Sequence, residues 1–243
     1  MAGTDNVRVI GDVIEALSQL PTSLGVTARD RVLAWMEQQD RLFMIGHREL
    51  LPLARHMFES GEIAVSRRIL HILLDIRPRV GQPSSAGTPR IDQWDYRRLI
   101  EEALPSEPLF RDPFERFCFL LERLEECGDL ESSTGGLTSQ YRRQAVEDSS
   151  QDDDDDAFGA LLSGVRDAAA EVVVRDSSRL PLVLERLQSG SDARVWKTRL
   201  DLNLLRTSEP PAREQIRDRL LDRALLAETD YFHEYRTLLR DRV

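Results

Sequence analysis

Apolar residues recur along this chain at intervals of three and four, and the recurrence stops wherever Gly and Pro gather. Val9, Ile10, Val13, Ile14 and Leu17 share one face, which predicts a helix from about Asp5 to Leu20 that ends at PTSLG. Thr27, with Asp30 three residues on, reads as the N-cap of a second helix carrying Val32, Trp35 and Met36 and continuing toward Leu42 and Phe43. Residues 47–80 give the clearest pattern. Leu50, Leu53, Ala54, Met57 and Phe58 mark one arm, and Ile69, Leu70, Leu73 and Leu74 the other, with a hinge at Gly61 and a stop at Pro78.

The same reading carries on past the hairpin. RPRVGQPSSAGTPR (77–90) predicts a loop. Asp92 is placed to cap a helix through Ala103 that ends at PSEP, and Asp112–Pro113 to open another that runs to about Glu126. Residues 131–157 are rich in Ser, Thr, Gly and Asp and predict an acidic linker, with a short helix around Tyr141–Glu147. Further helices are expected near 158–175, 178–188, 192–206 and 210–226, and a last one to about Arg240. The β-branched run EVVVRD (171–176) sits inside a helical pattern and is assigned to helix. The expected fold class is all-α: antiparallel helical hairpins, with a domain over 1–130, the linker 131–157 and an irregular helical domain over 158–243.

Residues 47–80 resemble one tetratricopeptide unit, a helix–turn–helix of about 34 residues. With His47 as its first position, Leu50, Leu53 and Ala54 fall where that family has a large residue, a leucine and a small residue. Gly61 and Ile63 fall at the turn, and Leu70, Leu73 and Pro78 complete the pattern. Met57 replaces the usual tyrosine, Ser66 the usual small alanine, the first tryptophan is missing, and Pro52 lies inside the first arm. A second stretch, 180–211, aligns on 51–82 without gaps: Leu51, Pro52, Leu53, Ser60, Gly61, Ala64, Leu73 and Arg77 recur as Leu180, Pro181, Leu182, Ser189, Gly190, Ala193, Leu202 and Arg206. A third, FCFLLERLEECGDL, keeps only a first arm, with Gly128 in the place of Gly61. The resemblance implies stacked hairpins whose first helices line a groove for a partner polypeptide. Its groove positions in this chain are Arg48, Leu51, Arg55, Phe58 and Glu59, with Leu180, Leu184 and Leu187 as the apolar counterpart in the second stretch. Small acidic tetratricopeptide proteins of bacterial secretion systems are one similar group.

Charge narrows the class of partner. The net charge is −10, and residues 147–156 alone hold seven acids and no base. A chain without a basic stripe is a poor electrostatic match for nucleic acid. The five aspartates 152–156 lack the alternating ligands, central Gly and terminal Glu of a calcium loop, and read as a self-repelling solvated run. All the basic side chains but Lys197 are arginine, which suits planar recognition of carboxylates.

Catalytic and metal chemistry find little support. His47, His56, His71 and His233 include no pair at i, i+4, and no Cys-x-x-Cys exists. Cys118 and Cys127, nine residues apart on or near one helix, stand about 13 Å apart, too far for a disulfide; Cys118 reads as core and Cys127 as lying near a helix end. Glu101–Glu102 and Glu125–Glu126 are adjacent pairs that point apart on a helix. No cofactor or metal is implied. The N-terminus lacks the basic start and long apolar run of a signal peptide, no stretch reaches a membrane-spanning length, and a cytoplasmic setting fits two unpaired cysteines. The expected function is non-enzymatic: an adaptor or chaperone-like subunit that holds another protein or peptide, with no nucleic acid and no membrane insertion, as a possible member of a larger complex. The alternative is a regulatory substrate or inhibitor whose acidic linker is cleaved or modified to separate two helical halves.

Overall fold

The computed structural model describes residues 7–39, 42, 47–77, 88–133, 146, 157–189, 195–209, 212–227 and 229–243. Among them the chain is all-α, with one two-stranded antiparallel pairing of Ile76–Arg77 against Thr88–Pro89. It divides into two compact units, residues 1–111 with 155–160 and residues 112–154 with 161–243.

In the first unit, α1 (Val7–Gln19) and α2 (Val26–Gln38) precede the hairpin formed by α3 (His47–Glu59) and α4 (Ile63–Leu73). The hairpin buries its stripes as their spacing requires: Leu50, Leu53 and Ala54 of α3 and Ile69, Leu70 and Leu73 of α4 have no exposed surface. The turn between the arms needs a positive φ, and Gly61 supplies it at 83°. Gly25 does the same at 76° before α2. The second helix therefore begins two residues earlier than a Thr27 cap would place it, and Thr27 lies inside its first turn. It also ends at Gln38, because a buried guanidinium closes it. Arg90, 1% exposed, donates from Nη2 to the carbonyls of Met36 and Gln39, satisfying acceptors that the last turn of a helix leaves open.

Asp92 caps α5 (Gln93–Arg98) by accepting from the Trp94 amide at 2.9 Å. The helix goes on through a π-turn (Leu99–Ala103) and a last single turn, Leu104–Ser106.

The second unit opens with α6 (Pro113–Ser133), which runs seven residues past the expected end at Glu126. Cys127 and Gly128 are buried, so packing overrides the weak helix propensity of the glycine. The partition between units places this helix with the C-terminal elements, upstream of the linker expected at 131–157. Most of that linker, including the short helix expected at Tyr141–Glu147 apart from Val146, lies outside the described residues. Then follow α7 (Ala157–Arg175), α8 (Leu180–Gln188), α9 (Val195–Thr207), α10 (Arg213–Leu220), α11 (Arg223–Ala227) and α12 (Phe232–Arg242). The β-branched run closes α7 in helical form. The single helix expected over 210–226 is two, broken at Leu221–Asp222.

Helix α9 is covered on nearly every side: Trp196, Lys197, Leu200, Asp201, Leu202, Asn203, Leu204 and Leu205 are all buried. Its charges are paired inside the unit. Lys197 donates from Nζ to Glu125 Oε1 at 2.5 Å and to the Ser189 carbonyl at 2.8 Å. Asp201 accepts from Arg219 Nε at 2.5 Å.

Candidate protein-binding surface

The outward face of α3 follows from which of its residues the core has already taken. With Leu50, Leu53, Ala54 and Met57 turned inward, Arg48, Pro52 and Glu59 lie at the centre of the opposite side and all three are exposed. Pro52 does not break the helix, but it has no N–H to give to the Arg48 carbonyl four residues back. Arg48 has no ion-pair or hydrogen-bond partner among the described residues.

Contacts on two sides flank this strip. On one side Arg55 Nη1 donates to Glu107 Oε2 at 2.9 Å, with the arginine side chain still 44% exposed. The Arg67 guanidinium of α4 lies over the Phe110 ring, 4.3 Å from its centroid. Residues 107–110 thus run along this edge of the hairpin. On the other side His56 Nε2 lies 2.7 Å from the Leu20 carbonyl, the geometry of an N–H donating to it. That contact brings up the α1–α2 turn, where Leu20, Leu24 and Val26 are 41%, 58% and 40% exposed.

The five groove positions therefore separate. Arg48 and Glu59 share the open strip, and Arg55 borders it while tied to Glu107. Phe58 is half-buried on the Glu107 edge, and Leu51, 7% exposed, belongs to the core. Spacing alone put Leu51 on the same face as Arg48, but an apolar residue at the border of that face is drawn inward by the neighbours packed against it.

The counterpart stretch buries a different arc. Leu180, Leu184 and Leu187 are 4%, 4% and 1% exposed, so they offer no surface. Leu182, aligned with the fully buried Leu53, is 44% exposed. Both first arms are helices, but α8 buries a different arc of its own surface from the one α3 buries.

Among the described residues no group of three or more His, Cys, Asp or Glu side chains could hold a metal ion, and no helix is long and apolar enough to cross a membrane. Neither cysteine is in a disulfide. Cys127 is the core residue of the two, and Cys118 is half-buried, its thiol pushed up by burial against the opposing pull of Arg186. Cys118, expected in the core, is thus only half-buried, and Cys127, expected near a helix end, lies inside α6 and is buried.

Buried polar groups in the second unit went unseen in the sequence. The Asp201 carboxyl is held above the usual carboxylate range by burial, with Arg219 and Gln188 acting in the opposite direction. Glu234, with 1% of its side chain exposed, accepts from the Val146 amide at 3.2 Å. Arg116 and Glu171 pair between α6 and α7. No sequence signal marks these residues, since a charged side chain in a helical pattern looks solvated until its neighbours are known.

No family model, curated protein or solved structure matches this chain. Among the described residues it is an all-α protein, and α3 carries an exposed strip of Arg48, Pro52 and Glu59.

Proposed function

We propose that this protein is a non-enzymatic adaptor or chaperone-like subunit that holds a partner polypeptide on the hairpin of its first unit. The supporting observation is the strip on α3: an exposed Arg48 without a described partner, Arg55 beside it, and the exposed Leu20, Leu24 and Val26 turn next to His56. Arginine forks suit the carboxylates of a partner, and exposed aliphatic side chains gain from being covered. The partner is then an acidic, partly apolar peptide or protein surface, and the setting is the cytoplasm. The tetratricopeptide resemblance points to the same helix.

The test compares wild type with Arg48→Glu and with Arg48→Glu/Leu24→Asp, each checked for unchanged thermal unfolding. Proteins retained from native lysate are identified and re-measured in purified form. A purified partner whose affinity falls at least ten-fold with the double variant supports the strip. A partner that binds both equally overturns it.

A further inference from the structure

Helix α12 has its polarity reversed for a surface helix. Its buried side holds Glu234, Tyr235, Thr237 and Leu238, three of them polar. Phe232, Arg236 and Leu239, spaced four and three residues apart, align along the opposite side and are all exposed. Phe232 is 62% exposed and Leu239 44%. A surface helix ordinarily turns its apolar stripe toward what it packs on. Here the core has taken the polar side, and the apolar stripe faces outward. Tyr235 Oη donates to the Leu220 carbonyl at 2.7 Å, which holds the end of α10 close to the first turns of α12. Leu221, the next residue, is 66% exposed.

The charges on these two helices complement each other. Ile216 is the buried residue of α10. The line opposite it is Glu214, Asp218 and Leu221, all exposed, with Arg213 and Arg217 to one side. The outward line of α10 is therefore acidic and apolar, and that of α12 cationic and apolar. The side chains of Glu214, Asp218 and Arg236 have no ion-pair or hydrogen-bond partner among the described residues. Residues 212–243 hold seven acids and seven bases, whereas the whole chain carries −10. Two copies of so acidic a chain repel each other unless they meet over a surface whose charge is locally balanced.

We infer that α10 and α12 form the contact between two copies of this protein. In the pairing, a two-fold axis lays α12 of each copy on α10 of the other, so one patch serves twice. It covers Phe232, Leu239 and Leu221 and brings Arg236 of each copy to Asp218 of its mate. A foreign acidic surface would oppose Glu214 and Asp218, and a basic one would oppose Arg236. A second copy of the same patch satisfies both. The contact is independent of the α3 strip and of any partner that strip binds. With three apolar side chains from each copy, the dissociation constant is expected on the order of 10 μM.

The test is sedimentation equilibrium of the full chain from about 1 to about 200 μM, a range that brackets that constant. The variants are Phe232→Ser/Leu239→Gln, Arg236→Glu, and Asp218→Arg/Arg236→Glu, with folding checked by circular dichroism and thermal unfolding. Wild type should pass from monomer to dimer within the range. The apolar variant and Arg236→Glu should each weaken the dimer at least ten-fold. The double charge exchange, which leaves the net charge unchanged, should regain most of the loss. Because these side chains lie outside the core, the variants should melt as wild type does. A wild type that stays monomeric throughout overturns the proposal, as does a dimer indifferent to Phe232 and Leu239. A double exchange no better than Arg236→Glu alone also overturns it, since the two copies would then not meet through these charges.

Discussion

The α3–α4 hairpin and helix α9 solve the same problem in opposite ways. The hairpin keeps its charges out of its core and closes mainly on apolar side chains: Leu50, Leu53, Ala54, Ile69, Leu70 and Leu73 have no exposed surface. Helix α9 is wrapped by its neighbours, so Lys197 and Asp201, one turn apart, have to find partners indoors in Glu125 and Arg219. The hairpin's stability rests on shape and volume, whereas that of α9 depends on protonation state and on both members of each pair being present. An apolar face tolerates any neighbour of the right size; a buried charge specifies which neighbour it meets.

The largest effect separating the two regions should come from cavities. Leu70→Ala in the hairpin is expected to cost about 2–5 kcal/mol, read from the midpoint of urea unfolding at unchanged slope. A smaller loss would mean that α4 relaxes into the space. Next is the half-removed ion pair. Arg219→Leu leaves Asp201 buried without its cation and should cost about 3 kcal/mol, while Asp201→Leu/Arg219→Leu should recover most of that loss. If the double variant is no better than the single one, the pair is not acting as a unit and the contrast with the hairpin fails.

Gly25 and Gly61 come third. Both hold positive φ, and alanine at either should cost on the order of 1 kcal/mol. At Gly25 the added Cβ would also sit 2.8 Å from Leu17 Cδ2, whereas at Gly61 it meets nothing within 4 Å. Gly25→Ala should therefore lower the melting temperature more than Gly61→Ala, and the reverse order would locate the strain elsewhere.

The smallest effect is in pH dependence, and its sign differs between the units. Burial raises the Asp201 carboxyl, so the folded protein holds that proton more tightly than the unfolded chain does. Its contribution declines as pH rises from the usual carboxylate range through the raised folded value. Glu37 is lowered by its hydrogen bond to Arg68, so its contribution is present above the usual range and fades as pH falls through the lowered value. This second pair is largely exposed and correspondingly weak. Melting curves from pH 3 to pH 7 should show Asp201→Asn removing a loss at the upper end and Glu37→Gln removing a gain there. Shifts of the same sign would contradict the assigned causes.

How much of this was readable in the sequence follows the same divide. The hairpin was legible because a single amphipathic stripe fixes both the period and the buried face, and the Asp92 cap and the Pro113 start were legible because they are local. The end of α2 was not, since it depends on Arg90, fifty-four residues from Met36, reaching into its last turn. The continuation of α6 past Gly128 was hidden for the same reason. At the candidate surface, spacing gave the helix and the side of it that Arg48 occupies. It could not give the inward turn of Leu51 or the covering of Arg55 by Glu107, because both depend on residues distant in sequence. The buried carboxylates Asp201 and Glu234 left no trace in the periodicity at all.

Lys197 is the one lysine in the chain, and it is 7% exposed with its nitrogen bound to Glu125 and Ser189. The folded protein consequently offers acylating reagents and lysine-modifying enzymes almost no side-chain amine. Any attachment that depends on a lysine, whether a chemical tag, an acetyl group or a degradation signal, must wait until α9 loosens, so the rate of amine labelling at this position is a direct clock for the opening of the C-terminal unit.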